Sequence, residues 1–524
     1  MRPMRELIRR NKLFAGALAI GALLRLLAVL AYPGALWFYG DSFIYLGAAL
    51  RPQPNQLITT GYSLFLRALL PLHSLTLVVV LQHLMGLGDA VMIYALLRRA
   101  RVSKTWATVA SLPMLLDGYV IEDEHLIMTE ALFTFLLMVG LTVVLWRPRT
   151  SWWKALIVGV LLGFAAIVRT EGAVVLIIFP LFLLVRGWSW KTASGWVAAL
   201  AMCVGILVPV GAYAGWYHSR YGQYEMTTST GLFLWGRVSS FADCARIQPT
   251  GAQAKVCPTQ PIKDRRPPGN YIYHAPQVVD IPGGDTSPAN NSLLTGFAFH
   301  AIEAQPLDYV KTVVKGTLLS FGFPRIAYPR SGTTFYYSFH LQYKTATYDT
   351  LPPNGTAAGQ NVWIAGGTAY SDWLSYGHQQ PGVVNKVFAY PLIAYTRVFF
   401  TWGPLLAVIF LLGLGGVIFV RRRDGTARPA WDVRRAWDVR GLRLHWQVRG
   451  TSMLPWITAV GLLVTPIAVA DFDYRYLIPA LPFACIAAGL AFAPPTRRGA
   501  GTEGAAVDAS GGDAEQAIPG PVAR

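Results

Sequence analysis

Charge is scarce in this sequence. Of 524 residues only 14% are Asp, Glu, Lys or Arg, whereas 53% are hydrophobic. The apolar residues gather in repeated runs about as long as the ~20 residues a helix needs to cross a bilayer. This excludes an ordinary soluble domain and points to a polytopic membrane protein. Acids are the scarcer sign: 27 Asp and Glu against 45 Lys and Arg leave a net charge of +18. That excess does not imply nucleic acid, because the basic clusters follow the ends of the apolar runs instead of forming one stripe. Cysteine is rarer still, with four in the chain. Cys203 and Cys485 fall inside apolar runs as small apolar side chains, while Cys244 and Cys257 stand thirteen positions apart in a polar stretch. No His or further Cys at ligand spacing accompanies that pair, which excludes a structural zinc site. A Cys244–Cys257 disulfide is expected, two free thiols being the alternative; in the loop-closure model it contributes roughly 3 kcal/mol.

Ten spans fit the apolar pattern, at about 13–32, 75–97, 105–121, 126–146, 153–168, 172–186, 194–217, 398–420, 453–470 and 477–493. The fifth and sixth are short, and suit either tilted helices or a hairpin reaching part way across. Basic residues cluster at alternate ends: Arg2 to Lys12, Arg98 to Lys104, Arg147 to Lys154, Arg186 with Lys191, and Arg421 to Arg449. This asymmetry puts both termini in the cytoplasm of a multi-pass cell-membrane protein. The first run reads as an uncleaved span, since Arg25 interrupts it and no small-x-small cleavage motif follows. Arg25 itself either faces the bundle interior or meets a lipid phosphate.

The fold class expected is an all-α polytopic membrane protein of about 10 transmembrane helices with a mixed extracytoplasmic loop domain between the seventh and eighth spans. Residues 1–217 form a seven-span catalytic module, 218–397 the loop domain, 398–493 a three-span module with a basic cytoplasmic loop at 421–450, and 494–524 a disordered tail. Within the loop domain, Ser292 to Ser320 reads as two amphipathic helices on the membrane surface, broken near Pro306. Phe335–Phe339 and Val362–Ile364 read as strands. The duplicated Trp-Asp-Val-Arg at 431–434 and 437–440 reads as a lengthened linker with interfacial Trp.

What the sequence does have is acids in particular places. Asp41 follows the first span, Glu122, Asp123 and Glu124 with His125 lie between the third and fourth, Glu171 beside Arg169 lies between the fifth and sixth, and Asp471 and Asp473 with Arg475 lie between the last two. The topology puts all of them on the outer side. A carboxylate there can act as general base on an acceptor hydroxyl while cations stabilise a departing phosphate. A sugar donor outside the cell membrane has to be delivered on a lipid. Glu130, one turn inside a span, is equally well read as structural glue bonded to Thr129 or a neighbouring helix.

These residues resemble the GT-C glycosyltransferases that use polyprenyl-phosphate sugars, most nearly bacterial relatives of glycosyltransferase family 39, the dolichyl-phosphate-mannose protein mannosyltransferase type. The resemblance rests on Gly40-Asp41-Ser42 with Tyr45, on Gly61-Tyr62-Ser63-Leu64-Phe65-Leu66 entering a run that ends Leu96-Leu97-Arg98-Arg99, and on Ile127-Met128-Thr129-Glu130-Ala131-Leu132-Phe133. It continues through Leu162-Gly163-Phe164 to Arg169-Thr170-Glu171-Gly172, and through Asp473-Tyr474-Arg475-Tyr476-Leu477-Ile478-Pro479. It covers residues 1–217 and 450–493 and leaves the large outer loop unmatched.

The resemblance implies Asp41 as catalytic base and an acidic residue of the second outer loop, Glu122 or Glu124, as a further catalytic group. Tyr45, His125, Arg169, Glu171, Asp473 and Arg475 are the expected substrate contacts, with Arg169 or Arg475 on the donor phosphate. No cofactor is required; Glu122, Glu124 and His125 form a set that also suits a divalent cation, Mn or Mg. The family often carries Asp-Glu where this chain has Asp41-Ser42, which leaves the sugar, mannose or another, and the acceptor open among protein, cell-envelope glycan and lipid. A transporter or lipid flippase is the competing class; it calls for acids near the bilayer midplane and repeated halves, and neither pattern is present.

Overall fold

The computed structural model describes residues 11–38, 40–328, 337–341, 369–377, 384–421, 427–429 and 439–494. Within lipid an unpaired backbone amide finds no water, so apolar runs close their hydrogen bonds internally as helices. The first module runs Lys12–Ala31 (α1), Asp41–Leu50 (α2), Gly61–Leu69 (α3), Leu75–Arg99 (α4), Lys104–Leu116 (α5), Gly118–Asp123 (α6), Glu130–Trp146 (α7), Trp152–Val168 (α8), Ala173–Val185 (α9) and Ala193–Tyr221 (α10). After it come Thr230–Ser239 (α11), Pro288–Ala304 (α12), Pro306–Leu319 (α13), Ala369–Gly377 (α14) and Lys386–Val398 (α15), with shorter turns between. Gly403–Ile418 (α16), Val439–Val469 (α17) and Leu477–Leu490 (α18) complete the bundle.

A helix lies at each of the ten expected spans. Four are long and apolar enough to cross a membrane singly, α1, α4, α10 and the Thr451–Val469 part of α17. The pair α15 and α16, bent by 57° at their junction, gives a fifth. The rest are shorter apolar helices. The expected third span stops early because Asp117 ends it: one carboxylate oxygen accepts from Tyr119 N and Val120 N and starts α6, and the other accepts from Thr401 N at 2.6 Å. Gly61–Leu66, read as the entry to the second span, is instead the separate helix α3. Pro71 and a left-handed His73 (φ 43°) turn the chain before Leu75.

Among the described residues the expected mixed loop domain is helical: every regular element of 218–397 is a helix, and Tyr337–Phe339 is not a strand. Strand pairing occurs instead in the linker, where Phe419–Arg421 (β1) and Ala427–Pro429 (β2) pair antiparallel. Val362–Ile364, the first repeat of the duplication and the tail from 495 lie outside the described residues. The break near Pro306 is present, but the two helices differ in role. Leu294, Phe297, Ala298 and Ala301 of α12 are buried against Trp235 and Val238 of α11, making a small core of the loop domain's own. Gly231 permits this, since a Cβ there would stand 2.2 Å from Asn291 O. Only α13 turns Leu307, Val310, Val314 and Leu318 outward. Cys244 and Cys257 are joined by a disulfide at the edge of this core, with Cα atoms 6.3 Å apart.

The closest helix contact is α8 on α10, and small residues make it. A Cβ on Gly159 would meet Met202 O at 2.2 Å, one on Gly163 would meet Ile206 O at 2.5 Å, and one on Gly205 would meet Leu156 O at 2.2 Å. Such seams let helices associate in lipid, where hydrophobic attraction between them is absent. Gly159→Ala should therefore lower stability by about 1–3 kcal/mol through overpacking, read as a fall in Tm of the detergent-solubilised protein. Gly211→Ala, on α10 with open space around it, should leave Tm unchanged; equal Tm for the two variants would refute the seam.

Candidate active site at one end of the bundle

The second outer loop is anchored by a buried ion pair. Arg25, in the middle of α1, donates to both carboxylate oxygens of Glu124 at 2.7 Å and to the carbonyls of Gly21, Met114 and Leu115. His83 Nδ1 lies 2.8 Å from Glu124, His83 Nε2 lies 3.1 Å from His125 Nδ1, and His125 Nε2 reaches Tyr32 O at 3.0 Å. Gln82 donates to the Glu124 and Leu126 carbonyls. Gly86 is required beneath this network, because a Cβ there would stand 1.7 Å from Glu124 Oε1. Arg25 thus faces the bundle interior. Glu124 and His125, expected at the catalytic or substrate-binding surface, are engaged with buried partners, and Glu122 is buried near the Tyr32 phenol. Among the described residues no three His, Cys, Asp or Glu side chains are grouped to hold a metal.

The anchored loop in turn positions Asp41. Leu36 N donates to His125 O and Ile127 N donates to Leu36 O, stitching the first loop to the second. Ser42 Oγ accepts from Phe38 N at 2.8 Å and donates to Ile127 O at 2.9 Å. Ser42, the departure from the Asp-Glu pair that the resemblance often shows, here latches two loops. Gly40, at φ 75°, enters α2 through the left-handed region and leaves Asp41 as its first residue. Arg475 Nη1 meets Asp41 Oδ2 at 2.5 Å. The same guanidinium lies 3.6 Å from Asp473 and over the rings of Phe38 and Tyr476, at 5.2 and 5.6 Å. Asp473 also accepts from Tyr337 OH and from Arg475 N. Burial raises the Asp473 carboxyl above its ordinary range against the opposing charge of Arg475.

Beside this pair sits a second one. Arg169, at the end of α8, donates to Glu130 and to Thr129 Oγ1, and forks onto both oxygens of Glu171 at 3.2 and 3.1 Å. Its guanidinium lies 5.8 Å from the Tyr476 ring centre, so Tyr476 is shared by both arginines. Burial opposes ionisation of Glu171, but the charge and hydrogen bonds of Arg169 outweigh it and hold the carboxyl below its usual value. Burial and then the neighbouring Glu130 push Asp123 well above the carboxylate range, favouring its neutral form. Tyr45 is buried between the pairs, its phenol raised by burial and by Asp41 and acted on by Arg169, Glu130 and Arg475.

The structure therefore gathers Asp41, Tyr45, Arg169, Glu171, Asp473 and Arg475, and draws Glu122, Glu124 and His125 away into buried packing. It adds Glu130, which bonds both to Thr129 and to the site cation, and two tyrosines that no sequence signal marked. These are Tyr337 on Asp473 and the half-exposed Tyr273, whose phenol senses Asp41, Arg475 and Asp473. Arg325 was missed as well. It lies 4.7 Å from the ring centres of Tyr119 and Phe400 and 5.1 Å from that of Tyr474.

Residues 74–221 match the model of the family described as dolichyl-phosphate-mannose-protein mannosyltransferase. That stretch holds Glu130, Arg169 and Glu171, and the match bears out the resemblance read from the residues. No curated protein sequence matches. Among solved structures, the Saccharomyces cerevisiae protein O-mannosyltransferase Pmt1-Pmt2 complex bound to its sugar donor is similar at 15% identity over 44% of this chain and 36% of that one, with a TM-score of 0.34. The Archaeoglobus fulgidus oligosaccharyltransferase in its apo form is similar at 12% identity over 90% of this chain and 50% of that one, with a TM-score of 0.35. The chain spans half or less of the length of these structures.

The two kinds of acid should separate on substitution. Glu124→Ala leaves Arg25 as an unpaired buried charge and should cost about 3–5 kcal/mol, seen as a large fall in Tm. Asp41→Asn, partly exposed and leaving Arg475 with Asp473, should keep a near wild-type Tm. Equal stability of the two proteins would show that Glu124 does not anchor the loop.

Proposed function

We propose that the protein is a membrane glycosyltransferase that moves a sugar from a polyprenyl-phosphate donor to an acceptor hydroxyl on the extracytoplasmic side. The observation that carries this reading is the Asp41–Arg475 pair, partly exposed and beside the Glu130–Arg169–Glu171 cluster of a stretch that matches a mannosyltransferase family. One Asp41 oxygen is held by Arg475, and the other takes the acceptor proton. The acceptor oxygen then bonds to the anomeric carbon as the bond from that carbon to the phosphate oxygen breaks. Polyprenyl phosphate departs with the electron pair, inverting the anomeric centre. The matched family's description makes mannose and a protein hydroxyl the first donor sugar and acceptor to test.

Charge accounting moves the phosphate away from Arg169 and Arg475. Asp41, Glu130, Glu171 and Asp473 already surround those two guanidiniums. Arg325 has no ion pair with a described carboxylate and is held by three rings. It adjoins Phe400, which with Leu112, Leu405 and Phe492 among others lines an apolar groove of about 620 Å³ between α5, α16 and α18. A polyprenyl tail in that groove would bring its phosphate to Arg325, which can bind it by paired hydrogen bonds.

Transfer from radiolabelled polyprenyl-phosphate mannose, with other polyprenyl-phosphate sugars in parallel, tests the reading. Asp41→Asn should lower turnover by about 100-fold or more in folded protein. Arg325→Gln should raise the donor KM more than it lowers kcat. Wild-type turnover of Asp41→Asn would remove Asp41 from its role, and no transfer from any donor by folded wild type would favour a transporter or flippase.

A further inference from the structure

The helix ends opposite the candidate site carry the other sign of charge. Arg99 ends α4, Arg147 and Arg149 lie in the turn after α7, and Arg186 follows α9. All four line one cavity of about 860 Å³. Among the described residues no carboxylate lines it. Trp146, Pro148 and Ala493 give the same cavity an accessible apolar wall.

Helix capping accounts for part of this cluster only. Arg186 donates to Val144 O at 2.7 Å, and Arg99 stacks over Trp146 with 5.2 Å to the ring centre. Arg147 and Arg149 stand beyond the end of α7 and make no hydrogen bond or ion pair with a described residue. Four guanidiniums around one cavity repel each other unless an anion sits between them. A free phosphate ion would fill a small part of this space and leave the apolar wall wet. An amphiphile with a phosphate head and hydrocarbon chains matches both surfaces, and basic pockets between transmembrane helices hold anionic lipid heads elsewhere.

We propose that this cavity binds an anionic glycerophospholipid from the bilayer leaflet on that side. Arg147, Arg149 and Arg186 hold its phosphate, and its chains run from Trp146 past Pro148 and Ala493. The lipid joins α4, α7 and α9 of the first module to α18 of the last. Because it binds the folded bundle alone, it raises stability by mass action.

The test uses full-length protein in neutral detergent, with lipid adducts followed by native mass spectrometry and Tm by thermal shift. Phosphatidylglycerol should bind and raise Tm, whereas phosphatidylcholine and inorganic phosphate should not. Arg147→Gln/Arg149→Gln should weaken phosphatidylglycerol binding by about 10-fold or more. Arg147→Lys/Arg149→Lys should keep it, which separates lost charge from lost folding. Arg220→Gln/Lys255→Gln removes equal charge at exposed positions outside the cavity and should bind as wild type. The proposal is overturned if the cavity double variant binds as wild type, if the control loses as much, or if phosphatidylcholine binds equally well. Inorganic phosphate binding as tightly as the lipid would overturn it too, by making this a free-anion site.

Discussion

The pairing of Arg25 with Glu124 is the contact on which the rest of the site depends. A guanidinium in the middle of an apolar helix has to find a carboxylate, and Glu124 supplies it from the second outer loop. Once that loop is pinned against α1 and α4, its next residues fall into place. His125 and Ile127 offer backbone groups to Leu36, Ile127 O receives Ser42, and Thr129 and Glu130 meet Arg169. Asp41 is thereby held by a chain of hydrogen bonds that begins at Arg25, in the middle of the preceding helix. The general base proposed for Asp41 needs this kind of support, because a carboxylate is only as well positioned as the backbone beneath it.

Opposite charges divide the bundle by end. At one end, carboxylates outnumber the arginines they surround, which makes Asp41 and Glu130 parts of one network with Tyr476 as the shared platform. At the other end, arginines gather without described carboxylates around a cavity of about 860 Å³. The proposed transfer and the proposed lipid site thus place different demands on the same residue type. Arg169 and Arg475 are engaged in holding acids in position, whereas Arg325, Arg147 and Arg149 stand without ion pairs among the described residues. The α8–α10 glycine seam brings two of the helices that run between these ends into close backbone contact.

Much of the helical layout was legible from the residues. Apolar runs ended near their charged or capped boundaries because an unpaired amide in lipid is too costly to leave. The errors came where a side chain answered to something distant in sequence. Asp117 falls inside the span expected at 105–121, yet it caps α6 and accepts from Thr401 N across the fold. Ser42 looked like a departure from a family pair, and its hydroxyl proves to be a latch between loops. The α12 stripe read as a membrane-facing surface because periodicity locates an apolar face without saying what covers it. Tyr337, Tyr273 and Arg325 gave no signal, since single residues in an irregular loop carry no period.

By itself the sequence determined that this is a helical membrane protein with acids collected at the ends of particular helices. Bilayer thickness and the cost of unpaired charge leave few other readings of such a pattern. Only the tertiary structure decided which acids act together. Glu124 and Asp41 have the same chemistry and the same expected side of the membrane, and they differ in what surrounds them. One meets a buried arginine ninety-nine positions away, and the other meets an arginine that keeps partial exposure. Partners at that separation are chosen by packing, which local sequence does not encode.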